Sequence, residues 1–141
     1  NSFKEIIEKK FIFNFDQDSN SKKIVKSIEI IYGLRNFIGN ANKFCDKNVF
    51  INLKSDSEFT EISIEDDGPG YPKDILSKIG EPYLKSNNPQ DKSKTGLGLG
   101  LFIGKTLLEK NFASVICRNS KTRSGAEVII KWRNKDLFNI Q

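Results

Sequence analysis

The sequence predicts an α/β fold of the α+β kind, a two-layer sandwich in which about three helices cover one face of a mixed β-sheet. Three observations support this prediction: short β-branched runs, longer segments with apolar residues at helical spacing, and polar turns between them. A chain of 141 residues is long enough for one such domain with a buried core.

The first part of the chain predicts a short helix, a strand and a long helix. Residues 2–9 form the predicted short helix, and Phe11–Phe15 form a strand that leads into a polar loop at residues 16–22. From Ser27 to Cys45 apolar residues recur at the spacing of one helix face, which predicts the long helix.

The middle of the chain predicts two strands, a short helix and a loop. Val49–Lys54 and Phe59–Asp66 are rich in β-branched residues and flank a polar turn. Residues 72–79 predict a short helix, whereas residues 81–95 contain too much Ser, Asn, Lys and Pro to predict a regular element. An irregular segment of that length is unusual in a compact domain unless it is functional, so we expect the chemistry beside it.

The last part of the chain predicts a second long helix and a hairpin. The apolar segment Leu97–Lys110 forms the helix, and residues 113–118 and 127–132 form strands around a polar turn. This mixture of helices and strands favours helices gathered on one face of the sheet.

Composition restricts the possible functions. The absence of His excludes zinc–histidine sites, Ser-His-Asp triads and a histidine phospho-acceptor within these 141 residues. Because there is also no Met, we expect a single domain that is a fragment of a longer protein. The net charge of +5 comes from scattered lysines and gives no support for nucleic-acid binding. Cys45 and Cys117 lie in apolar surroundings, as expected of small core residues in a reducing cytoplasm.

The second long helix opens on a glycine-rich segment, Thr95–Leu101. Each helical glycine costs about 1 kcal/mol relative to alanine, so their repetition needs a reason. Alternate glycines let a ligand approach the backbone, and the N–H groups at a helix N-terminus attract an anion such as phosphate. Tight packing of the helix is the alternative, and this segment alone does not decide between the two.

A second motif, Asp-Asp-Gly-Pro-Gly, occupies residues 66–70. Because strand side chains alternate, Asp66 continues the row that carries Ile62 and Ile64. A buried carboxylate is costly unless a donor reaches it; an adenine amino group would serve, whereas guanine presents its acceptor O6. Capping of a Gly-Pro-Gly turn is the alternative role for this aspartate.

A polar stripe runs along one side of the first long helix and consists of Asn36, Asn40 and Lys43. Asparagine is a poor helix former, so a pair in register is unexpected. A carboxamide oxygen can bind Mg²⁺, which shares its other positions with phosphates and water, and the lysine could contact phosphate. An exposed helix face without function is the alternative.

Taken in order, these motifs resemble the N, G1 and G2 boxes of the ATP-binding fold shared by histidine kinases, gyrase, Hsp90 and MutL (the GHKL superfamily and its Bergerat fold). Leu34–Ala41 resembles the N box, residues 66–70 the G1 box and Thr95–Leu101 the G2 box, while Gly80–Leu84 takes the place of the F box. The resemblance covers nearly the whole chain, and it identifies residues 81–95 as a mobile ATP lid.

The resemblance implies ATP and Mg²⁺ as cofactors and a role for each matching residue. Asn40 would bind Mg²⁺, Asp66 would receive the adenine amino group, and Asn36 and Lys43 would be catalytic residues. Lys92 and Lys94 of the lid would compensate phosphate charge. The implied ATP-binding set is Asn40, Asp66, Gly68, Gly70, Tyr71, Ile75, Tyr83, Lys85, Thr95, Gly96, Leu97, Gly98, Leu99 and Gly100.

One position distinguishes the branches of this superfamily. Its ATP hydrolases place a glutamate one helical turn before the magnesium asparagine to activate water, whereas Asn36 cannot take a proton. The chain is therefore similar to the histidine kinases, and Tyr32–Leu34 and Gly100–Glu109 are similar to the RegB/PrrB redox-responsive type. In that type the redox cysteine lies outside this segment, so Cys45 and Cys117 are not expected to have that role.

The resemblance implies a domain that donates the γ-phosphate of ATP to a histidine on a separate dimerisation domain, with a response regulator downstream. We expect the domain to be inactive alone, to be cytoplasmic, and to reach the membrane only through a part that precedes residue 1. No nucleic-acid partner is expected. The alternatives are a serine kinase of the anti-sigma-factor type, a docking module with a decayed pocket, and a basic nucleic-acid binder.

Overall fold

A sheet covered by two long helices is the main feature of the structure, a computed structural model that describes residues 10–15, 28–78 and 92–137. The strands are β1 (Lys10–Phe15), β2 (Asn48–Ser55), β3 (Phe59–Asp66), β4 (Ser114–Asn119) and β5 (Ala126–Arg133). The helices of the described residues are α1 (Ile28–Phe44), α2 (Lys73–Lys78), α3 (Lys92–Lys110) and α4 (Asn134–Leu137).

The strands form one sheet in the order β1-β2-β3-β5-β4. β1 pairs parallel to β2, and the other neighbouring pairs are antiparallel. Parallel neighbours need a crossover connection, and α1 lies between these two strands in the sequence. The predicted mixed sheet in an α/β fold is therefore confirmed, with the parallel pair at one edge.

The core lies between α1, α3 and one face of the sheet. In β5, Val128, Ile130 and Trp132 are buried while Lys131 between them is exposed, as the alternation of strand side chains requires. Trp132 donates its indole N–H to the Asn111 carbonyl at 3.1 Å, so its polar atom is satisfied inside the core. Among the residues whose burial is described, the two long helices contribute Ile30, Phe37, Ala41, Leu101 and Leu108 to the buried core.

Most predicted elements agree with the structure at their ends to within two residues, but α3 does not. It begins at Lys92 rather than Leu97, so residues 92–95 are helical instead of irregular. Lys, Ser and Thr each cost less than about 1 kcal/mol in a helix, so their presence did not exclude an earlier start. The short helix α4 was not predicted, and its first residue, Asn134, is buried.

Several predictions concern residues outside the described ranges. These are the helix at residues 2–9, the polar loop at residues 16–22, the F box at Gly80–Leu84 and the lid as far as residue 91.

Both cysteines belong to the core, as expected. Cys45 is buried, and Cys117 packs against the buried cluster. Burial raises the pKa of the Cys117 thiol to about 12, so this side chain is protonated at neutral pH.

Among the helices of the described residues, none combines the length and the apolar character needed to cross a membrane.

Candidate functional site

A cleft of about 240 Å³ lies between α1, the inner face of the sheet and the loop that follows β3. It brings together Asn40 and Asp66, which the sequence had identified on separate motifs. The surrounding side chains are mostly apolar, which suits a flat aromatic ring with few polar anchors. The lining residues are Phe37, Asn40, Ala41, Phe44, Ile64, Asp66, Pro69, Gly70, Tyr71, Pro72, Ala126 and Val128.

Asp66 is the charged residue on the floor of this cleft. It ends β3 on the helix-facing side and is only 3% exposed. Its Oδ1 accepts the backbone N–H groups of Gly68 at 2.9 Å and Ala126 at 3.2 Å. Burial raises the pKa of Asp66, with a further contribution from the neighbouring charges of Asp67 and Glu65, while the two N–H donors oppose the shift. Since these described hydrogen bonds both use Oδ1, Oδ2 remains for a donor on a ligand.

Asn40 lines the same cleft from α1 and touches α3. Its Nδ2 is buried and has no hydrogen-bond partner among the described residues. A Cβ added at Gly100 would lie 3.0 Å from this Nδ2 and 3.3 Å from Oδ1, so the glycine leaves room for the carboxamide. Buried polar atoms without partners are uncommon, and a half-turn of the amide exchanges its nitrogen and oxygen. The side chain therefore fits a ligand of a cation such as Mg²⁺.

The predicted catalytic residues Asn36 and Lys43 lie on α1 but are not among the residues that line the cleft. Asn36 donates its Nδ2 to the Tyr32 carbonyl of its own helix at 2.9 Å. Lys43 is exposed, with its ammonium 5.3 Å from the centre of the Phe44 ring. Of the stripe on α1, the structure therefore places only Asn40 in the cleft wall, and the roles of Asn36 and Lys43 stay predictions.

The loop after β3 contributes backbone and one aromatic side chain to the cleft. Gly70 has a φ of 83°, a left-handed conformation that favours glycine. Tyr71 is buried, and burial raises the pKa of its phenol well above the ordinary value, so it is neutral. Gly68 is buried as well. Ile75 belongs to the buried core and is not a lining residue of the cleft.

The glycine-rich segment Thr95–Gly100 lies within α3. The described contacts in it are those of Gly100 with Asn40. Tyr83 and Lys85 lie outside the described residues. The backbone of residues 92–99 is helical, but the surroundings of the other predicted positions in this range lie outside the described part of the structure: Lys92, Lys94, Thr95, Gly96, Leu97, Gly98 and Leu99.

Asp67, next to Asp66, is not a lining residue of the cleft and accepts hydrogen bonds from the backbone of another segment. Its carboxylate accepts the N–H groups of Asp46, Lys47 and Asn48 at 2.9 to 3.1 Å, which ties the residues after α1 to the end of β3. Its partial burial would raise the pKa, but these donors outweigh that effect and lower it. The sequence motif therefore contains two aspartates in different environments.

The sequence did not identify the turn between β4 and β5 as part of the site. Ala126 donates its N–H to Asp66, and a Cβ at Gly125 would overlap with the Asp66 carbonyl oxygen. Asn119 accepts the Tyr71 N–H at 2.6 Å and donates to the Tyr71 carbonyl at 3.2 Å. These contacts join segments about 50 residues or more apart in the sequence, so local patterns gave no signal for them.

Known proteins share this sequence pattern. The family described as histidine kinase-, DNA gyrase B-, and HSP90-like ATPase matches residues 26–136. The sensor histidine kinase RegB of Cereibacter sphaeroides is 37% identical over 108 residues, which are 73% of this chain and 23% of RegB. The sensor protein RstB of Escherichia coli is 30% identical over 99 residues, or 70% of this chain and 23% of RstB. The chain thus matches less than a quarter of the length of either relative.

Solved structures show the same fold. The mycobacterial sensor histidine kinase MprB has a TM-score of 0.69 at 21% identity, over 94% of this chain and 86% of the MprB chain. Full-length ShkA, whose crystal structure is a complex with AMPPNP, has a TM-score of 0.65 at 26% identity, over 92% of this chain and 27% of ShkA.

Proposed function

Because this chain belongs to the histidine kinase-, DNA gyrase B-, and HSP90-like ATPase family, we propose that it binds Mg·ATP in the cleft and donates the γ-phosphate to a histidine of another domain. As in its sensor histidine kinase relatives, it is a kinase-type ATP-binding domain. The observation that carries the proposal is the meeting of Asn40 and Asp66 in one apolar cleft.

The cleft residues support adenine as the base. Phe37, Phe44 and Ile64 offer apolar surface to the faces of a purine, and burial of that surface favours binding. Asp66 then accepts the exocyclic amino group of adenine through Oδ2. Guanine would present a carbonyl oxygen at the same place, and two acceptors facing one another in a buried cleft are unfavourable.

The Asn40 carboxamide, buried against Gly100, would hold Mg²⁺ together with phosphate oxygens. A bound Mg²⁺ supplies positive charge to the phosphates during transfer. The chain itself then mainly positions the nucleotide, since phosphoryl transfer requires orientation and charge compensation more than covalent participation.

The acceptor of the phosphate is proposed to be a histidine rather than water, because the position that carries a water-activating glutamate in ATP hydrolases of the superfamily is Asn36 in this chain. Asn36 donates its amide to its own helix and cannot take a proton. The 141 residues contain no His, so the acceptor must belong to another segment or another chain. We propose a histidine-bearing dimerisation domain of the same protein as the acceptor and a response regulator downstream, because the relatives are named as a sensor histidine kinase and a sensor protein. A location on the cytoplasmic side of a membrane-anchored sensor belongs to the same proposal.

Titration calorimetry of the full chain with ATP and GTP, each with Mg²⁺ and with EDTA, tests the binding. We expect ATP to bind more tightly than GTP, and Mg²⁺ to strengthen the binding of ATP. An absence of ATP binding would contradict the proposal and favour a docking module.

Transfer is tested by adding the dimerisation domain of a RegB-type kinase and radiolabelled ATP. We expect an acid-labile, base-stable phosphoprotein and negligible hydrolysis without the added domain. Hydrolysis by the isolated chain at ordinary enzyme rates, about 1 s⁻¹ or more, would show that Asn36 does not preserve the γ-phosphate as proposed. An acid-stable product would instead identify a serine kinase.

A further inference from the structure

A polar cluster lies on the outer face of the sheet, directly behind Asp66. Glu65 precedes Asp66 in β3, so its side chain points away from the helices. On this outer face Glu65 is nevertheless only 6% exposed. Its carboxylate contacts Ser120 and Arg123 of residues 120–125, the turn between β4 and β5. A buried carboxylate needs partners, and this turn provides them.

The contacts of Glu65 fix the first half of the turn. The Ser120 hydroxyl donates to Glu65 Oε2, and Arg123 Nε lies 3.5 Å from Oε1. The Arg123 guanidinium also stacks over the Phe50 ring at 3.7 Å from its centre. Ser120 Oγ in turn accepts the backbone N–H of Arg123 at 3.0 Å. Glu65 thus holds the turn through a hydroxyl, a charge and, indirectly, the backbone.

The second half of the same turn contacts Asp66 in the candidate nucleotide site. The Ser120 N–H donates to the Gly125 carbonyl at 2.7 Å and closes the turn on itself. Gly125 packs directly on Asp66, and the next residue, Ala126, donates its N–H to Asp66 Oδ1. The chain therefore connects Glu65 on one face of the sheet with the carboxylate of Asp66 on the other.

We propose that Glu65 is a positioning residue for base recognition, because its hold on the turn keeps the Ala126 N–H on Asp66 Oδ1 and leaves Oδ2 for the adenine amino group. This inference rests on the proposed binding of ATP in the cleft. Without the Glu65 contacts, the turn is expected to move and the Asp66 carboxylate to keep only one of its two described donors, the Gly68 N–H, so that its orientation is less restricted. Pre-organised polar groups bind more tightly because less freedom is lost on binding.

Calorimetric titration of ATP and GTP into Glu65→Ala, Glu65→Gln and wild-type chains tests this role. We expect Glu65→Ala to raise the Kd of ATP about tenfold, the equivalent of one hydrogen bond, and to raise the Kd of GTP less. The preference for ATP over GTP therefore narrows. Glu65→Gln keeps an acceptor for the Ser120 hydroxyl and should retain most of the wild-type preference.

The matched control is Glu61→Ala, which removes a glutamate from the same strand and the same outer face. Glu61 pairs with Lys54 and Lys131 in the neighbouring strands, away from the turn. We expect its ATP and GTP affinities to equal those of the wild type. If Glu65→Ala does not fold, Arg123→Ala provides a second variant, since this side chain is 42% exposed. Arg123→Ala should raise the Kd of ATP about threefold, the effect expected when one exposed ion pair is lost.

The outcomes separate the two proposals. A lower melting temperature of Glu65→Ala with an unchanged preference for ATP over GTP would mean that Glu65 only stabilises the fold, which overturns the inference alone. A wild-type chain that binds no ATP overturns the proposed function and removes the premise of the inference with it.

Discussion

The buried polar groups at the two ends of β3 differ in how completely they are hydrogen-bonded within the protein. At its beginning, Thr60 is 1% exposed and donates its hydroxyl to Asn134 Oδ1 at 2.6 Å, while Ser55 Oγ lies 3.0 Å from the same hydroxyl. Asn134 Nδ2 then donates to the Asp56 carbonyl at 2.8 Å. This cluster connects the turn between β2 and β3 to α4, and its polar atoms find their partners within the protein.

At the end of β3 the buried polar groups are only partly satisfied. Asp66 uses Oδ1 in its described hydrogen bonds, and Asn40 Nδ2 across the cleft has no partner in the described part of the chain. Unsatisfied buried groups cost stability, so an arrangement of this kind is expected where a ligand supplies the missing contacts. The comparison separates polar groups that hold the fold together from polar groups kept for binding.

The largest effect is expected from Asp66→Ala at the incompletely satisfied end. The change removes the proposed acceptor of the adenine amino group, so the Kd of ATP should rise by about 10- to 100-fold, the range for a charged hydrogen bond. Calorimetry at a temperature well below the unfolding transition measures this effect. An Asp66→Ala chain that binds ATP as tightly as the wild type would remove Asp66 from the site.

Thr60→Val at the satisfied end should show the converse result. The change keeps the shape of the side chain but leaves Asn134 Oδ1 and Ser55 Oγ without their partner. We expect the free energy of unfolding to fall by about 1–3 kcal/mol, while the Kd of ATP stays unchanged. Urea denaturation with Thr106→Val, at an exposed threonine of α3, is the matched control. A change in ATP affinity in Thr60→Val would break the proposed separation between the two ends.

Asn40→Ala examines the second group of the incompletely satisfied end. If Asn40 binds Mg²⁺, its loss should weaken ATP binding about tenfold in the presence of Mg²⁺, since outer and inner ligands of a metal each contribute on this order. Binding measured in EDTA should be nearly the same as for the wild type, which makes each protein its own control. Equal weakening with and without Mg²⁺ would instead identify Asn40 as a contact to the nucleotide itself.

Much of this arrangement could be predicted because it depends on local patterns. The predicted bounds of β3 are those observed, and Asp66 lies on the buried side as the alternation with Ile62 and Ile64 required. The helical spacing likewise located α1 to within one residue at each end. Local patterns therefore identify both Asn40 and Asp66, whereas their meeting in one cleft depends on the tertiary structure.

The remaining features depend on contacts between distant segments. The contact of Gly100 with the Asn40 carboxamide requires the packing of α3 against α1, and it shows that this glycine accommodates a side chain. The contact of Ser120 with Glu65 spans 55 residues, and Glu65 itself occupied a position that alternation assigns to the outer face. No local pattern indicates that a turn will contact its carboxylate. The early start of α3 differs from the prediction because the composition of residues 81–95 as a whole favours a loop, whereas Lys92 and Lys94 are good helix formers and Ser93 and Thr95 cost less than about 1 kcal/mol each.

The smallest expected effects are opposite pH dependences of the stability that Asp66 and Asp67 contribute. Burial raises the pKa of Asp66, so the unfolded chain releases this proton more readily, and the contribution of Asp66 to stability is lost as pH rises above the ordinary value of 3.8. The pKa of Asp67 is lowered because its N–H donors outweigh its partial burial. Its contribution is therefore present above 3.8 and is lost as pH falls through the lowered value.

Relative to the wild type, Asp66→Asn should therefore gain stability as pH rises from 3.8 through the raised pKa of Asp66. Asp67→Asn should instead lose stability relative to the wild type as pH rises from the lowered pKa of Asp67 to 3.8. Urea denaturation of both variants and the wild type between about pH 2 and pH 7 measures the two differences, because this range extends on both sides of the ordinary carboxylate pKa. The opposite signs are the decisive observation, since a general effect of removing one negative charge from a basic chain would give both variants the same sign. Parallel curves would mean that the N–H donors of Asp66 compensate fully for its burial, and the carboxylate would then need no ligand to be stable as an anion.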